Sequence, residues 1–235
     1  MSDPLNKDTT GHELGAVTFL DVLGWKGIWL DQGTKPTDTL LKIVQNTRIE
    51  AEKITAEYTD HEDFRGVPNV ADTTKVISIS DTIVIFSKGD TSLAIEIQAR
   101  ICAWLLKHAL LQGIPLRGAI SFGEYFEQDN VMQGAAVDEV ASWYEFVDWI
   151  GVILTPSAHL QIKSNQIKPI TRYEEIPFKK KFDHLDSCVD WNFDESTTDG
   201  LKKIILRKMP LTPEIAPKYL NTLAFLERNK TTPST

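Results

Sequence analysis

Two aspartates stand inside runs that otherwise read as buried strand, and any fold of this chain must accommodate them. Asp21 lies in Ala16-Val17-Thr18-Phe19-Leu20-Asp21-Val22-Leu23-Gly24-Trp25. Asp81 lies in Lys75-Val76-Ile77-Ser78-Ile79-Ser80-Asp81-Thr82-Ile83-Val84-Ile85-Phe86. A carboxylate buried among apolar neighbours is costly unless it is paired or bound to a metal. The sequence therefore asks for a cation, and a cation held between strand-borne carboxylates points to phosphate chemistry. The plainer alternative is that Asp21 caps a turn and Asp81 makes a hairpin bend, because aspartate is common in turns.

The pattern around these residues is an alternation of strands and helices. Residues 15–23 read as a central strand, followed by Gly24 and Gly27, which permit a tight turn. Residues 37–59 read as a helix and 61–72 as a polar loop. Residues 74–87 read as two strands joined at Ser80-Asp81-Thr82. Residues 91–112 form a strong helical pattern closed by Gly113 and Pro115, and 116–126 a further strand. Gly134 opens a helix expected to run to about Val147. Trp149 to Leu154 reads as a short strand, and Pro156 starts a short helix. The order is that of a ferredoxin-like βαββαβ core, an α+β fold with additions. It makes the strands of Asp21 and Asp81 neighbours. Beyond residue 165, additional C-terminal strands are expected within 167–191 and at 200–207. A terminal helix is expected at 213–228, capped by Thr212 with Pro213 at its first position. The expected organisation is a flexible segment over 1–13, a catalytic domain over 14–165, a packed extension over 166–229 and a disordered tail over 230–235.

Composition narrows the functional class. A net charge of −8 argues against a non-specific nucleic-acid binder. Cys102 and Cys188 have no CxxC partner and fit buried thiols in a reducing compartment. The polar N-terminus and the lack of any long apolar stretch lead to the expectation of a cytoplasmic protein without direct membrane contact. His12, His61, His108, His159 and His184 show no metal spacing. Trp143, Tyr144, Phe146 and Trp149 read as core or as a dimer surface. Lys179-Lys180-Lys181 reads as a solvated face.

On adjacent strands, Asp21 and Asp81 would converge on one or two Mg²⁺ or Mn²⁺ ions. Such ions can clamp the attacking and leaving oxygens of a phosphoryl displacement. The carbonyl of Val22 is a further ligand candidate, and the amides of Leu23, Gly24, Trp25 and Lys26 are candidates for phosphate oxygens.

Phe19-Leu20-Asp21-Val22-Leu23-Gly24-Trp25 and Ile79-Ser80-Asp81-Thr82 resemble the two metal-aspartate motifs of class III nucleotidyl cyclases. Gly113-Ile114-Pro115-Leu116-Arg117-Gly118-Ala119-Ile120-Ser121-Phe122-Gly123 resembles their next core strand. Gly134-Ala135-Ala136-Val137 and Asp148-Trp149-Ile150-Gly151-Val152 look most like the bacterial pyrimidine cyclases of Pycsar anti-phage defence. The resemblance covers about residues 14–165. It implies that Asp21 and Asp81 hold two divalent cations, Mn²⁺ or Mg²⁺. It implies a nucleoside triphosphate substrate, UTP or CTP, whose 3′-hydroxyl attacks the α-phosphate. It also implies a homodimer with sites at the subunit interface, and a cyclic nucleotide that acts on a separate effector protein.

The chain departs from the common purine cyclases at three positions. Ile77 stands where they carry a base-selecting lysine, and Asp138 and Ser142 stand where they carry an asparagine and an arginine. An active enzyme then needs another cation for the triphosphate, for which Lys75, Arg117 and Arg65 are candidates, each alternatively a solvated charge. Tyr58 could stack on a pyrimidine or be a core residue of its helix. The rival readings are a catalytically inactive nucleotide-binding or dimerisation module, and a dinucleotide cyclase. Ser78-Ile79-Ser80-Asp81-Thr82 lacks the GGDEF-like hairpin of the latter.

Overall fold

The structure is a computed structural model that describes residues 11–24, 35–129, 131–162, 167–180, 182, 184–191, 195–206, 213 and 216–228. Its elements are β1 (His12–Val22), α1 (Lys35–Ala56), β2 (Thr74–Ile79), β3 (Thr82–Lys88), α2 (Ser92–Leu111), β4 (Leu116–Gln128), β5 (Val131–Gln133) and α3 (Ala135–Trp143). Then come β6 (Gly151–Leu154), α4 (Pro156–Gln161), β7 (Ile170–Arg172), β8 (Ser187–Val189), α5 (Glu195–Leu206) and α6 (Ala216–Arg228).

The sheet order is β2-β3-β1-β4-β6-β8-β7, with β5 paired to β4. The first four strands pair antiparallel throughout. Joined through α1 and α2, they make the βαββαβ core the pattern predicts. β6 then adds parallel to β4, and β8 and β7 extend that side.

β1 forms because an uninterrupted apolar run suits a strand covered on both faces. Ala16, Val17, Leu20 and Val22 are all buried. α2 starts where the Thr91 hydroxyl accepts from the Leu93 amide. It ends where Gly113, at φ 83°, takes the left-handed conformation.

α2 is tied to the sheet by one buried polar side chain. Gln98 Nε2 donates to the carbonyls of Ala16 (2.6 Å) and Ile85 (3.1 Å), so one amide bridges β1 and β3. The Thr18 hydroxyl donates to Gln98 Oε1. The opposite face of the sheet is covered by α3, where the Ser121 hydroxyl donates to the Ala136 carbonyl at 2.6 Å.

Some boundaries differ from expectation. β1 begins at His12, inside the lead-in expected to be flexible, while residues 1–10 lie outside the described residues. α3 gives way to a tight turn, Tyr144–Phe146, instead of running on to Val147. β5 was not anticipated; three residues carry too little pattern to read. Residues 200–207, expected as a strand, belong to α5 through Leu206. Leu201, Ile204 and Ile205 fall at the i, i+3, i+4 repeat, and that helical period prevails over the β-branched pair. The terminal helix begins at Ala216. Thr212 and residues 229–235 lie outside the described residues. α6 closes against the core where Phe225 meets Trp149 edge-on at 4.2 Å and the Thr222 hydroxyl accepts from the Ile150 amide at 2.9 Å.

Gln98→Leu keeps side-chain volume but removes the donors to two buried carbonyls, each costing about 1–3 kcal/mol when unsatisfied. Urea unfolding is expected to show a loss of about 2 kcal/mol with an unchanged m-value.

Candidate active site

Successive strand residues point to opposite faces. Thr18 faces α2, so Phe19 and Asp21 face the other side. Asp21 lies between Thr82 of β3 and Arg117 of β4 in register. Arg117 Nε and Nη2 donate to a single carboxylate oxygen, Asp21 Oδ2, at 3.1 and 2.9 Å. Arg117 Nη1 donates to the carbonyls of Glu145 (3.0 Å) and Val147 (3.3 Å). Arg117 is only 7% exposed, while the Asp21 side chain keeps 16% exposure.

Asp81 occupies the two-residue turn between β2 and β3, behind Ser80 in the left-handed conformation at φ 57°. It directly precedes Thr82, the register partner of Asp21. Its charge acts on Asp21. Burial pushes the Asp21 carboxyl up; the Arg117 hydrogen bonds and charge pull it down; the charges of Asp81 and Glu145 push it up again. The net direction is upward, so Arg117 alone does not compensate this acid.

That imbalance bears on a divalent cation. Carboxylate oxygens are hard donors suited to Mg²⁺ or Mn²⁺, and Asp21 Oδ1 receives no hydrogen bond among the described residues. Val22 lies one residue past the end of the β1–β3 ladder, while still pairing with Leu116 of β4. No group of three or more His, Cys, Asp or Glu side chains that could hold a metal occurs among the described residues. A two-carboxylate site fits Mg²⁺, which keeps several waters and relies on substrate phosphates for its remaining ligands.

The other sequence-level candidates divide. The Leu23 amide donates to the Pro115 carbonyl at 2.9 Å, so it is already engaged. Gly24 has φ 78° and open space where a Cβ would stand. Trp25, Lys26 and Gly27 lie outside the described residues. Lys75 is on the Asp21 face but opposite Phe86, four residues along β3 from Thr82 (roughly 13 Å at about 3.3 Å per residue). Its Nζ sits 2.5 Å from Glu127. Arg65 is exposed beyond the short turn Glu62–Phe64. The Tyr58 hydroxyl donates to Glu96 (2.8 Å) and accepts from Arg100 (3.0 Å), both on α2, which places it across the sheet from Asp21. The fold thus gathers Asp21, Asp81 and Arg117, and leaves Lys75, Tyr58 and Arg65 apart.

Three residues beside the Asp21–Arg117 pair lie outside the site candidates read from sequence, where Tyr144 reads as core or dimer surface and Lys179 as a solvated face. Tyr144 packs edge-on against Phe19, with ring centroids 5.7 Å apart, and its hydroxyl donates to Glu145 at 3.1 Å. Burial, with the Glu145 charge, pushes that phenol up to about 12. Glu145 sits on the turn that Arg117 grips. The Lys179 amide donates to the Phe146 carbonyl at 3.0 Å, and Val147 bridges Phe178. Burial, followed by the Arg117 charge, lowers the Lys179 ammonium. The only sequence signal for Lys179 was its basic run.

Ile77 pairs with Val84, which pairs with Phe19, so an apolar row borders Asp21 on the same face. Asp138 and Ser142 are exposed on α3, and the Ser142 hydroxyl donates back to the Asp138 carbonyl at 2.9 Å.

No family model matches the chain, and no curated protein does. Among solved structures, a Trypanosoma brucei adenylate cyclase in its monomeric state superposes with a TM-score of 0.47 at 11% identity, over 79% of this chain and 92% of that one. An adenylate/guanylate cyclase/hydrolase from Silicibacter pomeroyi gives 0.47 at 16% identity, over 75% and 95%. The catalytic core of a rhodopsin-guanylyl cyclase gives 0.44 at 13% identity, over 76% and 95%.

The raised Asp21 pKa has a signed consequence for the metal-free protein. A group whose folded pKa exceeds its unfolded value stabilises fully below the unfolded value and loses that contribution as pH rises through the folded value. The stability of the wild type relative to Asp21→Asn is therefore expected to fall as pH rises from near 3.8, the ordinary value, toward neutrality. Guanidinium unfolding of both proteins with chelator present measures the slope, and a rising difference would contradict it.

Proposed function

We propose that this chain is a metal-dependent pyrimidine nucleotide cyclase, converting UTP or CTP to the 3′,5′-cyclic monophosphate and pyrophosphate. The observation that supports it best is the pair Asp21 and Asp81 at adjacent strand ends, with Arg117 as an insufficient counter-charge. Asp21 and Asp81, with the Val22 carbonyl, would hold Mn²⁺ or Mg²⁺, which when bound acidifies the 3′-hydroxyl and neutralises charge on the α-phosphate. In the reaction the O3′–Pα bond forms, the bond from Pα to the β-phosphate oxygen breaks, and the 3′-hydroxyl proton is lost. Pyrophosphate departs with the bonding electrons.

The chain's own groups would bind and orient the triphosphate. Arg117 meets Asp21 directly and Lys179 lies within reach of the Arg117 and Glu145 charges, and oriented cations stabilise charge as it develops. Tyr144 over Phe19 offers an aromatic edge beside the acid. The apolar Ile77 presents no donor to a purine, which favours a pyrimidine. The residue patterns over 14–165 support a homodimer with sites at the interface, a role in anti-phage defence and a separate effector for the product. The extension over 166–229 would contribute Lys179. A cytoplasmic location is consistent with the absence, among the described residues, of any helix long and apolar enough to cross a membrane.

A second reading, an inactive nucleotide-binding or dimerisation module, is favoured by one observation. Arg117 directs its donors to Asp21, Glu145 and Val147, and Ser142 stands where the resemblance would put a transition-state arginine.

Incubation of the purified protein with Mn²⁺ and each of four ribonucleoside triphosphates separates these readings. Chromatography with mass detection is expected to show a cyclic pyrimidine monophosphate and pyrophosphate. A purine preference would overturn the base assignment, and binding without turnover would favour the inactive module. Asp21→Asn and Asp81→Asn are each expected to lower kcat at least about a thousandfold, since the metal supplies several kcal/mol of charge stabilisation.

A further inference from the structure

Across the sheet from Asp21, α1, α2 and the Lys168–Pro169 turn line a cavity of about 370 Å³. That is within the size range of small-molecule sites. It shares no residue with the surroundings of Asp21. Ile54 and Ala103 give it an apolar wall beside Trp104. The Trp104 indole is only partly buried, packed against the core from the outer side of its helix. It stacks on His108 with centroids 3.9 Å apart and planes 20° from parallel, giving the cavity a flat aromatic surface.

The charges around it are unbalanced. Of the two carboxylates in the lining, Glu50 lies 3.5 Å from Lys53 and Glu57 lies 2.6 Å from Arg100. Both are thus already matched. Lys168 is exposed at the rim and has no carboxylate partner among the described residues. A local cationic excess on a chain of net charge −8 runs against the overall field.

We infer that this cavity binds a planar aromatic anion. The ring lies along the Trp104–His108 pair, and the anionic group meets Lys168. Aromatic packing supplies affinity, while the unmatched cation selects charge. The site is independent of the proposed cyclase reaction, so the fate of one does not decide the other.

Calorimetric titration with naphthalene-2-sulfonate and with its neutral analogue naphthalene-2-sulfonamide tests it. The sulfonate is expected to bind at one site per chain, at least about tenfold more tightly than the sulfonamide. Lys168→Glu and Trp104→Ala are each expected to weaken it by at least about tenfold. Lys168 is exposed, so its variant keeps the test valid if Trp104→Ala unfolds. Absence of sulfonate binding, equal binding of both probes, or unchanged affinity in Lys168→Glu would overturn the assignment.

Discussion

A buried guanidinium gripping a partly buried carboxylate organises one face of this molecule. Through Arg117, Asp21 is joined to β4 and to the 145–147 turn at the same time. That turn carries Tyr144 over Phe19, and its exit residue Val147 bridges Phe178. One ion pair therefore ties the acid to the turn that carries the aromatic edge. Its weakness as a charge balance is what gives it chemical interest. Burial and two further acids outweigh Arg117, so the carboxyl is held above its ordinary value.

The sheet keeps this chemistry apart from the helical layer. Gln98 pins β1 and β3 from the α2 side, and so holds the register that sets Asp21 opposite Thr82 and next to the Asp81 turn. On the helical side, Tyr58, Glu57 and Arg100 close one network, and Glu57 and Arg100 also line the cavity beside Trp104. Two regions with different electrostatics thus share a set of strands without sharing side chains.

Much of the fold was legible because its signals are local. Asp21 and Asp81 stand out against apolar neighbours, and the strand–helix order fixes which strands adjoin. Arg117 could be named because it sits on the next core strand. What escaped depended on long-range geometry. Tyr58 and Tyr144 look alike in sequence, yet pairing with α2 puts the first behind the sheet and contact with Phe19 puts the second beside Asp21. Lys179 reads as solvated and is exposed, yet the Lys179 amide meets the Phe146 carbonyl and its ammonium feels the Arg117 charge, a proximity that only the folded chain supplies. The Leu23 amide looked available, but its partner is the Pro115 carbonyl, which only the folded chain supplies.

The central claim is that Asp21 and Asp81 act as one cation site. Electron paramagnetic resonance titration of Mn²⁺ with a non-cleavable triphosphate analogue tests it directly. The account predicts saturable Mn²⁺ binding in the wild type, and its loss in both Asp21→Asn and Asp81→Asn while the fold is retained. Binding that persists unchanged in both variants would contradict it.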